Sequence, residues 1–147
     1  MNAVRLAGLE PASVFSYFEK LCSIPHGSGN TKAISDYLVS FAKAQGISYI
    51  QDDLNNVILF GEGTCGYEDH PPVIIQGHMD MVCEKDDDCP IDMQTQGLDI
   101  THDGEYVFAK GTTLGADNGI AVAYGLTTRT ASSATRTATA SCSMWPS

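Results

Sequence analysis

Positive charge is scarce in this sequence: eight Lys and Arg face 18 Asp and Glu, a formal net charge of −10 at pH 7. Phosphate binding needs clustered cations that displace counterions, so the balance argues against nucleic acid as a partner. It argues equally against an anionic membrane surface. Long apolar runs are missing as well. None approaches the roughly 18 residues of a membrane-spanning helix. Residues 1–10 carry Arg5 but no apolar stretch behind it and no small-residue cleavage site, which reads as the absence of a secretory signal. There is also no Cys-x-x-Cys. The five cysteines (Cys22, Cys65, Cys83, Cys89 and Cys142) are odd in number and do not suggest a disulfide framework. Cys83 and Cys89 flank an acidic loop, where a zinc or redox pair is one reading and free thiols near a strand end the favoured one. These absences lead to the expectation of an acidic, soluble, cytoplasmic protein.

What is present is a chain of 147 residues, 43% hydrophobic and 18% charged, which is one globular domain at most. Every acidic residue and every glycine lies in residues 1–126. The tail, residues 127–147, is rich in Ser, Thr and Ala, has two Arg, and lacks any apolar period. It reads as a low-complexity linker or as a departure from the reading frame near Leu126. The break falls inside an apparent helix, where natural linkers seldom start, and this favours the second reading. The expected organisation is therefore a domain portion over 1–126 and an out-of-frame or disordered tail over 127–147.

Pro11 opens a helical stretch in a first-turn position. Val14, Phe15, Phe18, Leu21 and Cys22 then recur as one apolar stripe. After the loop Ile24-Pro25-His26-Gly27-Ser28-Gly29-Asn30, a second helix is expected from Thr31, with Ile34, Tyr37, Leu38, Phe41 and Ala42 inward and Gly46 closing it. Residues 47–50 and 57–60 read as strands joined by the Asp52–Asn56 turn. Val73-Ile74-Ile75 is an unbroken apolar run that suits a strand buried on both faces. Residues 100–110 suggest a hairpin around His102-Asp103-Gly104. Residues 117–126 start a third helix, with Ile120, Ala121 and Tyr124 expected inward. This alternation predicts an α/β fold.

The chemistry concentrates at two places. His78 and Asp80 stand at i and i+2 past the apolar strand, so their side chains share a face at its carboxyl end, where α/β proteins place ligands. An imidazole there binds a metal through one nitrogen while a carboxylate holds the other N–H; a hydrogen-bonded surface His is the plain alternative. Asp117 follows a turn of small residues at a helix start. It reads either as a helix-capping carboxylate or as one able to bridge two cations. Elsewhere, Glu84-Lys85-Asp86-Asp87-Asp88 lacks the ligand spacing of a calcium loop and reads as a solvated acidic loop. His26 reads as structural, and His70 and His102 as surface residues.

The run Val73-Ile74-Ile75-Gln76-Gly77-His78-Met79-Asp80-Met81-Val82, followed by Gly111-Thr112-Thr113-Leu114-Gly115-Ala116-Asp117-Asn118-Gly119-Ile120, closely resembles the co-catalytic zinc dipeptidases. Within that dipeptidase/acylase (M20-type) family it is most similar to the aminoacyl-histidine (Xaa-His) branch, whose likeness extends to Ile24–Asn30 and Cys83-Glu84-Lys85. The resemblance spans roughly residues 10–126 and matches the N-terminal part of such an enzyme. It implies a zinc-exopeptidase-like catalytic domain with helices packed on a mixed sheet. It also implies metal-dependent hydrolysis of a small peptide substrate, carnosine-like Xaa-His dipeptides, with two Zn²⁺ per complete site (Co²⁺ or Mn²⁺ substituting), and a homodimer for the full-length enzyme.

By the same resemblance, His78 is a ligand of one zinc, Asp117 bridges both, and Asp80 is the catalytic Asp that orients His78. The family's Glu-Glu pair, further acidic ligand and distal His have no counterpart, because no Asp, Glu or His follows Asp117. The chain is accordingly expected to be an inactive fragment. A non-catalytic acidic metal-binding fragment, or an acylase or tripeptidase of the same architecture, are the alternatives.

Overall fold

The computed structural model describes residues 5–63, 66–130 and 137–141, the last five by their backbone. Helix α1 (Ala12–Cys22) buries Val14, Phe18, Leu21 and Cys22, the expected stripe. Pro11 sits one position earlier than expected, as the N-cap, where its carbonyl accepts the Phe15 N–H at 3.2 Å. Helix α2 (Lys32–Gln45) buries Ile34, Ser35, Leu38, Val39, Phe41 and Ala42. It ends at Gly46, whose φ of 66° is the left-handed conformation a glycine adopts without a Cβ penalty. The Ile47 N–H then returns to the Ala42 carbonyl at 2.8 Å and turns the chain into the sheet.

Strands β1 (Ser48–Gln51) and β2 (Val57–Phe60) pair antiparallel across a turn built by Asp52, whose Oδ1 accepts the N–H groups of Leu54 (2.9 Å) and Asn56 (2.8 Å). Strand β3 (Val73–Gly77) precedes a hairpin of β4 (Ile100–His102) and β5 (Val107–Ala109), whose loop is held by the Asp103 carboxylate. Helix α3 (Ala116–Thr130) packs along α1 and against β3. Strand β6 (Thr137–Ser141) enters the main sheet, giving the order β1-β2-β6-β3. It runs antiparallel to β2 and parallel to β3. The α/β fold with helices on a mixed sheet is thus present.

Of the tail from Thr127, residues 127–130 extend α3 and 137–141 form β6. The rest of that tail, 131–136 and 142–147, lies outside the described residues, as do Cys65 and Cys142.

One core unites the three helices with Val57 and Leu59 of β2, together with Met79 and Ile100. Burial of each such side chain contributes about 1.5–3 kcal/mol. Strand β3 differs from expectation. Val73 and Ile74 are exposed, Ile74 by 70%. Of the helices, α3 packs on this strand, and an apolar run does not by itself specify a second covering layer. Its end is buried: a Cβ on Gly77 would stand 3.0 Å from that of Ala121 on α3. This contact sets the strand's carboxyl end directly under the start of the helix.

Candidate functional site

His78 follows the last residue of β3, and its ring lies between two carboxylates. Nδ1 is 3.0 Å from the backbone carbonyl of Asp80 and 3.2 Å from its Oδ1. Nε2 is 3.2 Å from Oδ1 of Asp117. The structure therefore brings together all three residues singled out in the sequence, two from the end of a strand and one from the start of α3.

The placement of Asp117 follows from its neighbours. Residues 111–113 are tied to the segment leaving β3: Thr113 N–H donates to the Glu84 carbonyl at 2.9 Å, and its hydroxyl to that of Val82 at 2.7 Å. Asp86 N–H donates to the Gly111 carbonyl at 2.9 Å. Gly115 then adopts φ 68°, and a Cβ there would stand 2.8 Å from Sδ of Met81. A Cβ on Gly119 would come 3.2 Å from the Phe18 ring. The small residues before α3 thus serve close packing on Met81 and Phe18. Asp117 (φ −92°, ψ 102°) and Asn118 (φ −120°, ψ 29°) are not helical, and regular helix follows them. The Asp117 side chain is 96% exposed and aimed at His78.

The spacing of His78 and Asp117 is compatible with a shared divalent cation as well as with the direct hydrogen bond between them. Two ligands each about 2.0–2.2 Å from one cation lie roughly 3–3.6 Å apart for tetrahedral or octahedral angles. The 3.2 Å between Nε2 and Oδ1 falls within that range. Among the described residues no cluster of three or more His, Cys, Asp or Glu is disposed to hold a metal.

The remaining candidates separate. Sγ of Cys83 packs where a Cβ on Gly27 would be (2.6 Å) and that of Cys89 against Gly111 (3.1 Å), each a free thiol in its own contact. Burial pushes the Cys83 thiol up, with the Glu84 charge adding to it. In the acidic loop, Lys85 Nζ donates to the carbonyls of Cys89 (3.1 Å) and Ile91 (2.9 Å) while residues 84–88 face solvent. His26 is 4% exposed, with Nδ1 2.6 Å from the Ile24 carbonyl, and burial holds its pKa below the usual value. His70 packs on the Tyr67 ring. His102 ends β4 half-buried, its Nδ1 without a hydrogen-bond partner among the described residues, and so is not the surface residue expected. Ser28 drew no attention in the sequence, yet its hydroxyl donates to Oδ2 of Asp80 at 2.6 Å.

The cytosol non-specific dipeptidase of Escherichia coli K12 is 40% identical to this chain over 121 residues, 82% of the chain and 25% of that enzyme. The crystal structure of the aminoacylhistidine dipeptidase from Vibrio alginolyticus superposes with a TM-score of 0.85 at 36% identity, over 95% of this chain and 28% of that one. Over most of its length the chain thus matches one portion of the dipeptidase/acylase (M20-type) peptidases. It aligns there with the aminoacyl-histidine dipeptidase branch, as the Xaa-His likeness implied, and has that family's α/β catalytic-domain fold. A tripeptidase from Staphylococcus aureus shares the fold at a TM-score of 0.67 and 19% identity, over 87% of this chain and 35% of its own. No family model matches the chain. The chain spans about a quarter of the length of its dipeptidase relatives.

Proposed function

We propose that this chain carries one part of the metal centre of a dipeptidase that hydrolyses small peptides, with Xaa-His dipeptides the preferred class and Zn²⁺ the expected metal. The observation that carries this reading is the approach of His78 Nε2 to Asp117 Oδ1 at 3.2 Å, with Nδ1 of the same ring held by Asp80. His78 and Asp117 would hold the cation. Asp80 accepts the hydrogen bond of Nδ1–H, which keeps the ring proton on Nδ1 and Nε2 bare. When bound, a divalent cation at this place polarises a peptide carbonyl and acidifies water.

The chain's own residues stop short of turnover. A general base within reach of the attacking water typically contributes about 10²–10⁴ in rate. No Glu, Asp or His follows Asp117 to serve as one. Two protein ligands leave a cation mostly hydrated and loosely held. The 147-residue chain thus binds Zn²⁺ or Co²⁺ weakly and hydrolyses no carnosine-type dipeptide above background, and the site gains activity only in a longer chain or dimer that adds the missing groups. A cytosolic location is part of this reading, supported by the name of the Escherichia coli relative.

The test is a Co²⁺ titration followed by visible absorption, alongside a dipeptide hydrolysis assay with Zn²⁺, Mn²⁺ and Co²⁺. A weak Co²⁺ spectrum lost in His78→Ala, with no turnover, is expected. Zinc-dependent turnover by the 147-residue chain, or a Co²⁺ spectrum indifferent to His78→Ala, would place the centre elsewhere.

A further inference from the structure

We infer that Ser28 is a positioning residue for this centre: its hydroxyl anchors one oxygen of Asp80 so that the other holds the Nδ1–H of His78, which keeps Nε2 bare toward Asp117. The inference rests on His78 being the metal ligand proposed above.

Ser28 arrives from a loop 52 residues from Asp80 in sequence, and the loop is firmly seated. The Ser28 N–H donates to the Met81 carbonyl at 3.0 Å, and the Met81 N–H to the His26 carbonyl at 3.1 Å, so 26–28 runs beside 81 like an added strand. Farther along, Asn30 Nδ2 donates to the Gln94 carbonyl at 3.0 Å. Gly27 makes this approach feasible, since any Cβ there would meet Cys83 Sγ. The Ser28 hydroxyl then has two acceptors in range, Asp80 Oδ2 at 2.6 Å and the Met81 carbonyl at 3.4 Å. The shorter, charge-assisted bond takes the hydrogen.

A neutral imidazole has one N–H, and here acceptors compete for it from both sides. Nδ1 faces the carbonyl and Oδ1 of Asp80, and Nε2 faces Oδ1 of Asp117. A ring that ligates through Nε2 needs its proton on Nδ1. With Ser28 on Oδ2, the Asp80 carboxylate cannot swing away, and Oδ1 stays where Nδ1–H can use it. Without the hydroxyl, the carboxylate rotates toward water, and only the Asp80 backbone carbonyl still favours Nδ1–H. The proton then moves partly to Nε2, where it binds Asp117 and blocks the ligand position.

Ring ¹⁵N shifts of ¹⁵N-histidine-labelled, metal-free 147-residue chain test this, because they distinguish the Nδ1–H and Nε2–H tautomers of a neutral ring directly. In the parent protein His78 should be mainly the Nδ1–H form. Ser28→Ala should shift its tautomer ratio toward Nε2–H by about threefold to tenfold, the effect of part of one hydrogen bond to a charged group. Ser28→Thr should restore the parent ratio. Ser28 is exposed, so its truncation opens no cavity, and amide shifts outside 26–30 and 78–82 should hold.

An unchanged ratio in Ser28→Ala, or a change that Ser28→Thr does not reverse, would overturn the inference. The Co²⁺ titration reports separately on the metal reading. If the parent chain takes no Co²⁺ at His78, the metal assignment falls, while the tautomer shift still shows whether Ser28 acts through Asp80.

Discussion

Nε2 of His78 and Oδ1 of Asp117 are separated by 39 positions in sequence and by 3.2 Å in space. Two packing events produce that closeness: Gly77 against Ala121, and Gly115 against Met81. Each brings the end of β3 and the start of α3 to the same level.

Replacing Asp117 by Asn tests the carboxylate's role without changing its shape. The side chain is almost fully exposed, so the urea unfolding midpoint should stay at the parent value. Co²⁺ affinity, read by titration, should fall at least tenfold, because one of two charged or basic donors is lost.

Gly115→Ala attacks the geometry rather than the ligands. A Cβ at φ 68° is strained, and this one would also press on the Met81 side chain. A loss of about 1–3 kcal/mol in unfolding free energy is expected, with weakened Co²⁺ binding although no ligand has changed.

The first two helices were legible because their apolar spacing repeats over several turns, as Val14, Phe18, Leu21 and Cys22 in α1 show. In α3 the stripe expected at Ile120, Ala121 and Tyr124 is displaced: Val122, Ala123 and Leu126 are buried and Tyr124 faces solvent. The residues packed on α1 decide which face is inward. The meeting of His78, Asp80 and Asp117 was foreshadowed because strand alternation and a helix-start carboxylate are local patterns. Other features are settled by what lies beside a segment. The exposure of Ile74 depends on whether a second layer covers that face of β3, which no property of Val73-Ile74-Ile75 reveals. Ser28 meets Asp80 across 52 positions, and one sequence carries no mark of that pairing. Strand β6 comes from a tract without apolar period, so periodicity was silent there.

Acid should destabilise the fold through His26. Burial holds its pKa below the ordinary value, outweighing the Ile24 carbonyl and the Asp80 charge, which push the other way. The unfolded chain, at about 6.5, therefore binds the proton more readily than the folded one. The stability held by the neutral ring is complete above that value and is lost as pH falls through the folded pKa. Urea midpoints between about pH 7.5 and 5 should decline in the parent and decline less in His26→Gln, since carboxylates titrate mostly lower still.

Cys22 should be chemically silent while the fold persists. Its thiol is buried beneath α1 and its pKa is pushed up to about 12, chiefly by burial, with the Glu19 charge adding to it. At about pH 8 iodoacetamide should modify it roughly a thousandfold more slowly than a free thiol near 8.5, and at the ordinary rate in urea. Peptide mapping after timed labelling reads the difference.

The strand that delivers His78 also ends the sheet, with Val73 and Ile74 open to solvent beside an unpaired row of backbone groups among the described residues. Such a border invites another chain to join it edge to edge. Mutual repulsion between copies carrying −10 each opposes that joining, and dissolved salt weakens repulsion beyond about 10 Å at 0.1 M. Dilute buffer thus protects the solitary chain, and brine favours its stacking into larger bodies.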